Sequence, residues 1–363
     1  FGMFIIGQAM EDSGYLTHIC HRLFGRAKSV DALVLAILFT MGIGSAVLMN
    51  DTLAIIGTPI MLLLARRNII SPKLLLLCLA FAITTGSVMS PIGNPQNLLI
   101  ALGGKIENPF LTFFQYLFAP TIVNLFMAYI VLKVLFKKEF HRTQLEPGIE
   151  DIRHIRLAIV ARLSLILVVC LILAKVALAV MNLFAPVPFD FKLTYIALVG
   201  CSPILIYRFM SKKKTYRFHI LRRIDWYTLV FFASMFVLME SVWQSGFFQN
   251  LLSAFSLNMT GIPVIMILSV GVSQLISNVP MAALFLPLML SGGAGAKELM
   301  ALAAGSTIAG NLFILGAASN VIIIQHAEKE NRGESISFLE FAKAGIPLTI
   351  LQTAVYLLFF KMN

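Results

Sequence analysis

SAVLMNDTLAIIGTPIML, residues Ser45–Leu62, is nearly repeated far downstream by SQLISNVPMAALFLPLML, residues Ser273–Leu290. Aligned without a gap, they share Ser45 with Ser273, Asn50 with Asn278, Ala54 with Ala282, Pro59 with Pro287, Met61 with Met289 and Leu62 with Leu290. Each is apolar except for a short polar, helix-breaking centre. A pair of interrupted hydrophobic segments in corresponding halves of a chain marks the binding site of a secondary transporter.

The composition agrees. The 363-residue chain is 59% hydrophobic and only 12% charged, whereas a soluble domain is about 25% charged. The reading is an all-α polytopic membrane protein with the lipid bilayer as its main partner. A net charge of +11 could suggest nucleic acid, but the basic residues sit in short loops between apolar spans, where they orient a membrane protein. No nucleic acid is expected. Cys20, Cys78, Cys170 and Cys201 are scattered and read as small apolar fillers. His18, His21, His141, His154, His219 and His326 fall in loops or near span ends, and no metal site is expected. The chain opens at Phe1 inside an apolar run without a basic flank, unlike a signal peptide; we expect a further N-terminal portion.

Spans of about 20 apolar residues cross a bilayer as helices. Such crossings are read at 1–21, 73–101, 112–136, 157–181, 194–210, 226–247, 299–325 and 341–360. The stretches 31–65 and 262–291 are long and broken near their centres, and read as re-entrant hairpins. Non-helical backbone at that depth is tolerated only where it lines a protein cavity. With this count, the loops rich in Lys and Arg (from Arg22 to Lys28, Arg66 to Lys73, Lys137 to Arg156, Lys212 to Arg223, and Lys329 to Lys343) all fall on one side, expected to be cytoplasmic. The other side carries little beyond Lys105, Lys192 and Lys297. The first hairpin then enters from the cytoplasm and the second from outside, in the cell (inner) membrane.

The duplication extends further. TGSVMSPIGNPQNLLIA (Thr85–Ala101) parallels AGNLFILGAASNVIII (Ala309–Ile324), pairing Gly93 with Gly316 and Asn97 with Asn320. FLTFFQYLFAP (Phe110–Pro120) parallels SFLEFAKAGIP (Ser337–Pro347). The expected organisation is a first inverted repeat over 1–136, a basic cytoplasmic linker over 137–156, and a second inverted repeat over 157–363.

At each hairpin tip a helix begins in the membrane. A helix start offers unpaired N–H groups and partial positive charge. Asn50, Asp51, Thr52, Ser277 and Asn278 are N-cap types that could cradle an anion or polar solute. The alternative is that they satisfy only the turn's own backbone. In SPIGNPQN (Ser90–Asn97), two prolines and a glycine forbid a regular helix. Freed carbonyls there, with Asn94, Gln96 and Asn97, could coordinate a cation. The partner break runs from Gly310-Asn311 through Gly316 to Ser319-Asn320. Asp51 is the lone acid at a tip. A carboxylate at that depth costs about 2.5–3.5 kcal/mol, so it is read as the group for a coupling proton or sodium ion, or alternatively as a cap. Glu11 and Glu240 read as interfacial or packing residues, and Lys175 as a snorkelling or paired structural lysine.

NDTLAIIGTPIML, SPIGNPQNLLIA, SNVPMAALFLPLM and the GAASN break together resemble the ion-transporter superfamily. That group includes arsenite efflux permeases, D-type sodium/proton antiporters, citrate and dicarboxylate symporters and the P protein. The resemblance spans the chain and implies an inverted-repeat fold with two hairpins and two broken helices, usually dimeric, with a scaffold and an elevator-like transport part. It places substrate on Asn50, Asp51, Thr52, Asn94, Asn97, Ser277, Asn278, Asn311, Ser319 and Asn320. Cation coupling would fall to Asp51, Gly86, Ser87, Gly93, Gly310 and Gly316. The dicarboxylate symporters carry Ser-Asn-Thr at both tips; here Asn50-Asp51-Thr52 and Ser277-Asn278-Val279 stand instead, which favours the arsenite-permease and antiporter branch.

The expected function is secondary transport of a small anion or oxyacid, arsenite-like or carboxylate, coupled to Na+ or H+ and without a cofactor. A sodium/proton antiporter and an ion channel are the alternatives. No enzyme is expected, since the chain has no paired acid motif, no HExxH and no GxSxG.

Overall fold

The computed structural model describes residues 2–15, 18, 19, 24, 27–140, 153–182, 192–210, scattered positions from 230 to 250, 261–330 and 335–362. Among these all regular structure is helical. Helix α1 is Gly2–Ser13. Helices α2 (Val30–Val47) and α3 (Asn50–Asn68) form the first hairpin. Then come α4 (Pro72–Ser87), α5 (Pro95–Gly103) and α6 (Pro109–Leu135), the last with a π-helical turn at Phe114–Phe118. Next are α7 (Ile155–Asn182) and α8 (Leu193–Phe209). The second hairpin is α9 (Ile262–Ile276) and α10 (Asn278–Ser291). It is followed by α11 (Ala296–Ile308), α12 (Ala318–Glu330) and α13 (Phe338–Met362). The crossing expected at 226–247 and most of the basic linker lie outside the described residues.

The order hairpin, broken helix, crossing therefore occurs twice. Helix α2 is apolar enough to cross a membrane by length and composition, yet the chain turns back after Leu48 and Met49. A methyl on Gly44 would sit 3.4 Å from Leu53, and one on Gly57 would sit 2.9 Å from Met41, so the arms run antiparallel. The second hairpin turns on a single residue, Ser277, with φ 72° and ψ 162°. That region is open essentially to glycine alone, and a serine there stores about 1–3 kcal/mol. Pro59 and Pro287 sit inside the second arms at matching places.

The local starts and stops are chemical. Ser29 caps α2, its side chain accepting from the Ala32 amide at 3.2 Å. Helix α3 ends on Arg66 and Arg67, which favour the negative end of the helix dipole, and on Ile69 in the left-handed region. Pro72 and Pro95 open α4 and α5, where a missing N–H removes no helical bond.

Packing falls into two groups. Helices α1, α7 and α8 pack on one another. The hairpins, broken helices, α6 and α13 form the other group. Its pairings are reciprocal: α3 lies on α12 and α10 lies on α5, while α6 packs on α13 and α4 on α11. Each hairpin's returning arm thus packs on the far half of the other copy's broken helix. The main bridges between the groups are α1 against α3 and α7 against the start of α6.

The bases of the two hairpins lie at opposite ends of this bundle. Past the first hairpin, Lys73 at the start of α4 pairs with Glu340 at the start of α13, Nζ to Oε1 2.5 Å. The Ser71 amide beside it donates to Glu139. The second hairpin's base is at the far end of the same broken helix: a methyl on Gly103 would touch Leu286 at 2.7 Å, and one on Gly104 Leu299 at 2.8 Å. The two hairpin bases thus lie at opposite ends of the first broken helix.

Candidate functional site

Both tips dock on the breaks. The Asn50 amide donates to the Gly93 carbonyl at 3.1 Å. Gly93 is pressed between the two: a methyl on it would sit 2.5 Å from the Ser87 carbonyl oxygen and 3.0 Å from that of Ser45. Its counterpart Gly316 repeats this, 2.6 Å from the Ala309 carbonyl oxygen and 2.8 Å from Gln274 Oε1. A methyl on Gly310 would sit 3.6 Å from Asn278 Nδ2 and 3.1 Å from Thr84 on α4. The second tip therefore reaches its own break where the first broken helix passes.

Side chains join the breaks to each other. Asn94 caps α5, its Oδ1 accepting from the Asn97 amide at 2.8 Å, and its Nδ2 donates to Ser87 Oγ (3.0 Å) and Thr307 Oγ1 (3.2 Å). Gln96 donates to the same Thr307 hydroxyl, which in turn donates to Asn97 Oδ1. Asn97 Nδ2 faces three carbonyls, of Ser87, Val88 and Ser90. On the other side Asn320 Nδ2 donates to the Gly310 carbonyl at 2.6 Å, and Gln274 Nε2 to that of Ala309 at 2.8 Å. Asn311 Nδ2 donates to Thr85 Oγ1 (3.0 Å) and to Gln352 Oε1 of α13 (2.8 Å). The Gln352 amide donates to Thr85 as well.

The expected residues Asn94, Asn97, Asn311, Asn320, Ser87, Gly93 and Gly310 thus lie in one connected cluster, with Asn50, Asn278 and Gly316 in contact with it. Ser319 is fully buried next to Asn320. Gly86 is buried against α2, where a methyl would sit 2.1 Å from the Gly42 carbonyl oxygen. Asn50, Asp51 and Thr52 are not capping residues: they form the first turn of α3, and Met49 holds the cap position without a side-chain bond. Here the Asn50 amide is taken by Gly93, and the Asp51 amide is taken by Asn50 Oδ1 at 2.9 Å. At the second tip Ser277 is the cap residue, also without a side-chain bond, and Pro280 in the first turn has no N–H to offer. The first helix start is thus partly closed within the protein, while at the second Asn278 and Val279 stand ahead of Pro280.

Several buried oxygens of the cluster meet no hydrogen-bond partner among the described residues. Four are amide oxygens, Gln274 Oε1, Asn278 Oδ1, Asn311 Oδ1 and Asn320 Oδ1; the hydroxyls of Ser273, Ser319, Thr84 and Thr52 join them. Buried polar atoms are nearly always paired, so a concentration of exceptions marks a place for a ligand. Asp51, 4% exposed, is the buried acid at the tips. The buried cations among the described residues, Lys175 and Arg208, lie on α7 and α8 in the other group. Arg208 pairs with Asp12 at 2.9 Å.

Sequence reasoning missed Thr84, Thr85, Thr307 and Gln352. Thr84, Thr85 and Thr307 sit in the last turns of α4 and α11, just before the breaks, and Gln352 inside the apolar run of α13.

Known proteins resemble this chain along most of its length. The model of the Citrate transporter family matches residues 1–298. The silicon efflux transporter LSI3 of Oryza sativa subsp. japonica is 23% identical over 98% of the chain and 84% of its own length. A 46 kDa membrane protein of Mycobacterium leprae is 26% identical over 97% and 82%. The human P protein is 22% identical over 98% of the chain and 52% of its own length. Among solved structures, the YdaH transporter of Alcanivorax borkumensis, described as having an unusual topology, superimposes with TM-score 0.61 over 99% of this chain and 83% of that one, at 14% identity. Its likeness concerns the fold. With a family model matched over most of its length, the chain is a membrane transport protein of the Citrate transporter family, within the wider ion-transporter superfamily.

Proposed function

We propose that the chain is a secondary active carrier of a small anion or oxyacid, driven by a proton or sodium gradient, that works by alternating access. The observation that carries this is the set of unpartnered amide oxygens around the Ala309–Gly316 break, beside a tip that enters from the opposite end to its counterpart. Oxygen-only ligands suit a hard cation such as Na+. Asp51, at the first tip, adds the charge that a proton or sodium ion would neutralise. Helices α1, α7 and α8 would be the framework, and the two repeats' hairpins and broken helices the moving part of an elevator, touching it at Gly7 and Thr52. The basic loops would face the cytoplasm, and a homodimer would supply a wider framework.

A sodium/proton antiporter is the second reading, favoured by Asp51 standing buried at the first tip. Purified full-length protein in vesicles separates the two. Solute accumulation above the bath concentration under an imposed Na+ or H+ gradient, reduced to simple equilibration by Asp51→Asn, supports the first. Sodium-driven proton movement without any solute supports the second. Currents far above carrier turnover contradict both.

A further inference from the structure

We propose that α6 and α13 enclose a second polar site, apart from the tips, whose ligand is internal water; the site does not depend on which solute the chain carries. Thr349, Gln352 and Tyr356 follow one another at helical spacing along one face of α13, and all three are buried. Gly345, a turn earlier on that face, meets the second break: a methyl on it would sit 2.2 Å from the Asn311 carbonyl oxygen. Gln352 belongs to the same break through its bonds with Asn311 and Thr85. On α6, the helix that packs against α13, Thr121 and Asn124 are fully buried and one turn apart. The two polar faces meet at Tyr356, whose hydroxyl lies 2.7 Å from Thr121 Oγ1. Asn124 stands beside the same hydroxyl without the geometry of a bond to it.

Three atoms of these faces meet no hydrogen-bond partner among the described residues: Asn124 Oδ1, Asn124 Nδ2 and the Thr349 hydroxyl. Buried polar atoms are nearly always paired, and where the protein does not pair them ordered water does. The chemistry of the faces selects the ligand. Asn124 presents an acceptor oxygen and a donor nitrogen side by side. A cation would leave the nitrogen unmet and an anion the oxygen, whereas water both donates and accepts. No charged residue stands between Thr121 and Asn124 or between Thr349 and Tyr356. Each of the five polar residues is at most 2% exposed, so the ligand is small enough to be enclosed. The repeat does not require this polarity. Continued without a gap, the alignment of Pro120 with Pro347 pairs Asn124 with Leu351 and Thr349 with Ile122, so aliphatic side chains serve at the matching places. Water held here ties α6, through α13 and Gln352, to the break at Asn311.

The test exposes the full-length protein in lipid nanodiscs to brief X-ray radiolysis and reads side-chain oxidation by mass spectrometry. Hydroxyl radicals form from water, and Tyr356, with no exposed surface, is out of reach of those made in bulk. The expected result is oxidation of Tyr356 in the wild type that falls several-fold in Asn124→Leu, while the half-exposed Tyr195 of α8 is oxidised equally in both. Asn124→Leu should also lower the unfolding temperature; in a dry site it would remove an unpaired amide and raise it. If Asn124→Leu does not fold, Thr349→Val, equal in shape, takes its place. A Tyr356 left unoxidised in the wild type, or an unfolding temperature not below the wild type in the variant that folds, overturns the site. Oxidation of Tyr356 suppressed by Na+ and not by K+ shows a bound cation instead of water, and overturns it too.

Discussion

Asn97 and Asn320 make the same hydrogen bond in the two copies of the repeat: Asn97 Nδ2 donates to the Ser87 carbonyl at 3.1 Å and Asn320 Nδ2 to the Gly310 carbonyl at 2.6 Å. The alignment that pairs the two asparagines also pairs Ser87 with Gly310. One device therefore closes both breaks: an amide from the start of the second half-helix satisfies a carbonyl freed at the end of the first. Leucine at either position should strip that carbonyl of its donor, at about 1–3 kcal/mol per buried group left unsatisfied. Because Asn97 serves three carbonyls and Asn320 one, Asn97→Leu should lower the unfolding temperature in detergent more than Asn320→Leu.

Glycine positions provide a graded comparison. Gly86→Ala and Gly316→Ala would force a methyl to 2.1 Å and 2.6 Å from backbone carbonyl oxygens. Backbone cannot swing aside as a side chain does, so both should fold poorly. Gly271 on α9 is exposed, and nothing lies within 4 Å of its missing methyl. Gly271→Ala should be neutral or stabilising by up to about 1 kcal/mol. Size-exclusion profiles of the three variants check the order.

Ser277 is held where a side chain is strained. Ser277→Gly should relieve about 1–3 kcal/mol and raise the unfolding temperature. If the strained turn also poises the second tip for movement, its transport rate should change in the same variant. An unfolding temperature below wild type would contradict the strain.

Two ion pairs differ in worth. Lys73–Glu340 leaves its side chains 36% and 38% exposed, and a double-mutant cycle should give a coupling of about 1 kcal/mol or less, weakening with salt. Arg208–Asp12 is buried, its side chains 5% and 7% exposed. Removing one partner takes the paired charge from a buried group, so Arg208→Met alone should destabilise by up to about 3–5 kcal/mol, more than either change at the exposed pair. Thermal unfolding of single and double variants measures both.

Much of this was legible in the chain. The tips, the breaks and the order of elements followed from proline, glycine and asparagine interrupting aliphatic runs, and from those interruptions recurring in register. The caps were less legible: Asn50 has the type of a cap residue, but Gly93 claims its amide, and that contact is tertiary. Thr307 and Gln352 left no local mark, because a threonine or glutamine inside an apolar helix looks alike whether it faces lipid, helix or ligand. Nor could sequence reveal which way an amide points. Asn94 and Asn278 are the same residue type at equally suggestive places; the first is tied up on Ser87 and Thr307, and the second leaves its oxygen without a partner.

Both tips dock on the paired breaks, and transport there requires them to come from opposite ends of the bundle. The most direct test is thiol labelling of Met49→Cys and Ser277→Cys in oriented vesicles, with a membrane-impermeant reagent applied to one face at a time. The account predicts that the two positions are reached from opposite faces, and that the same transported solute with its coupling ion protects both. Labelling of both from a single face, or protection of one while the other is untouched by solute, would contradict it.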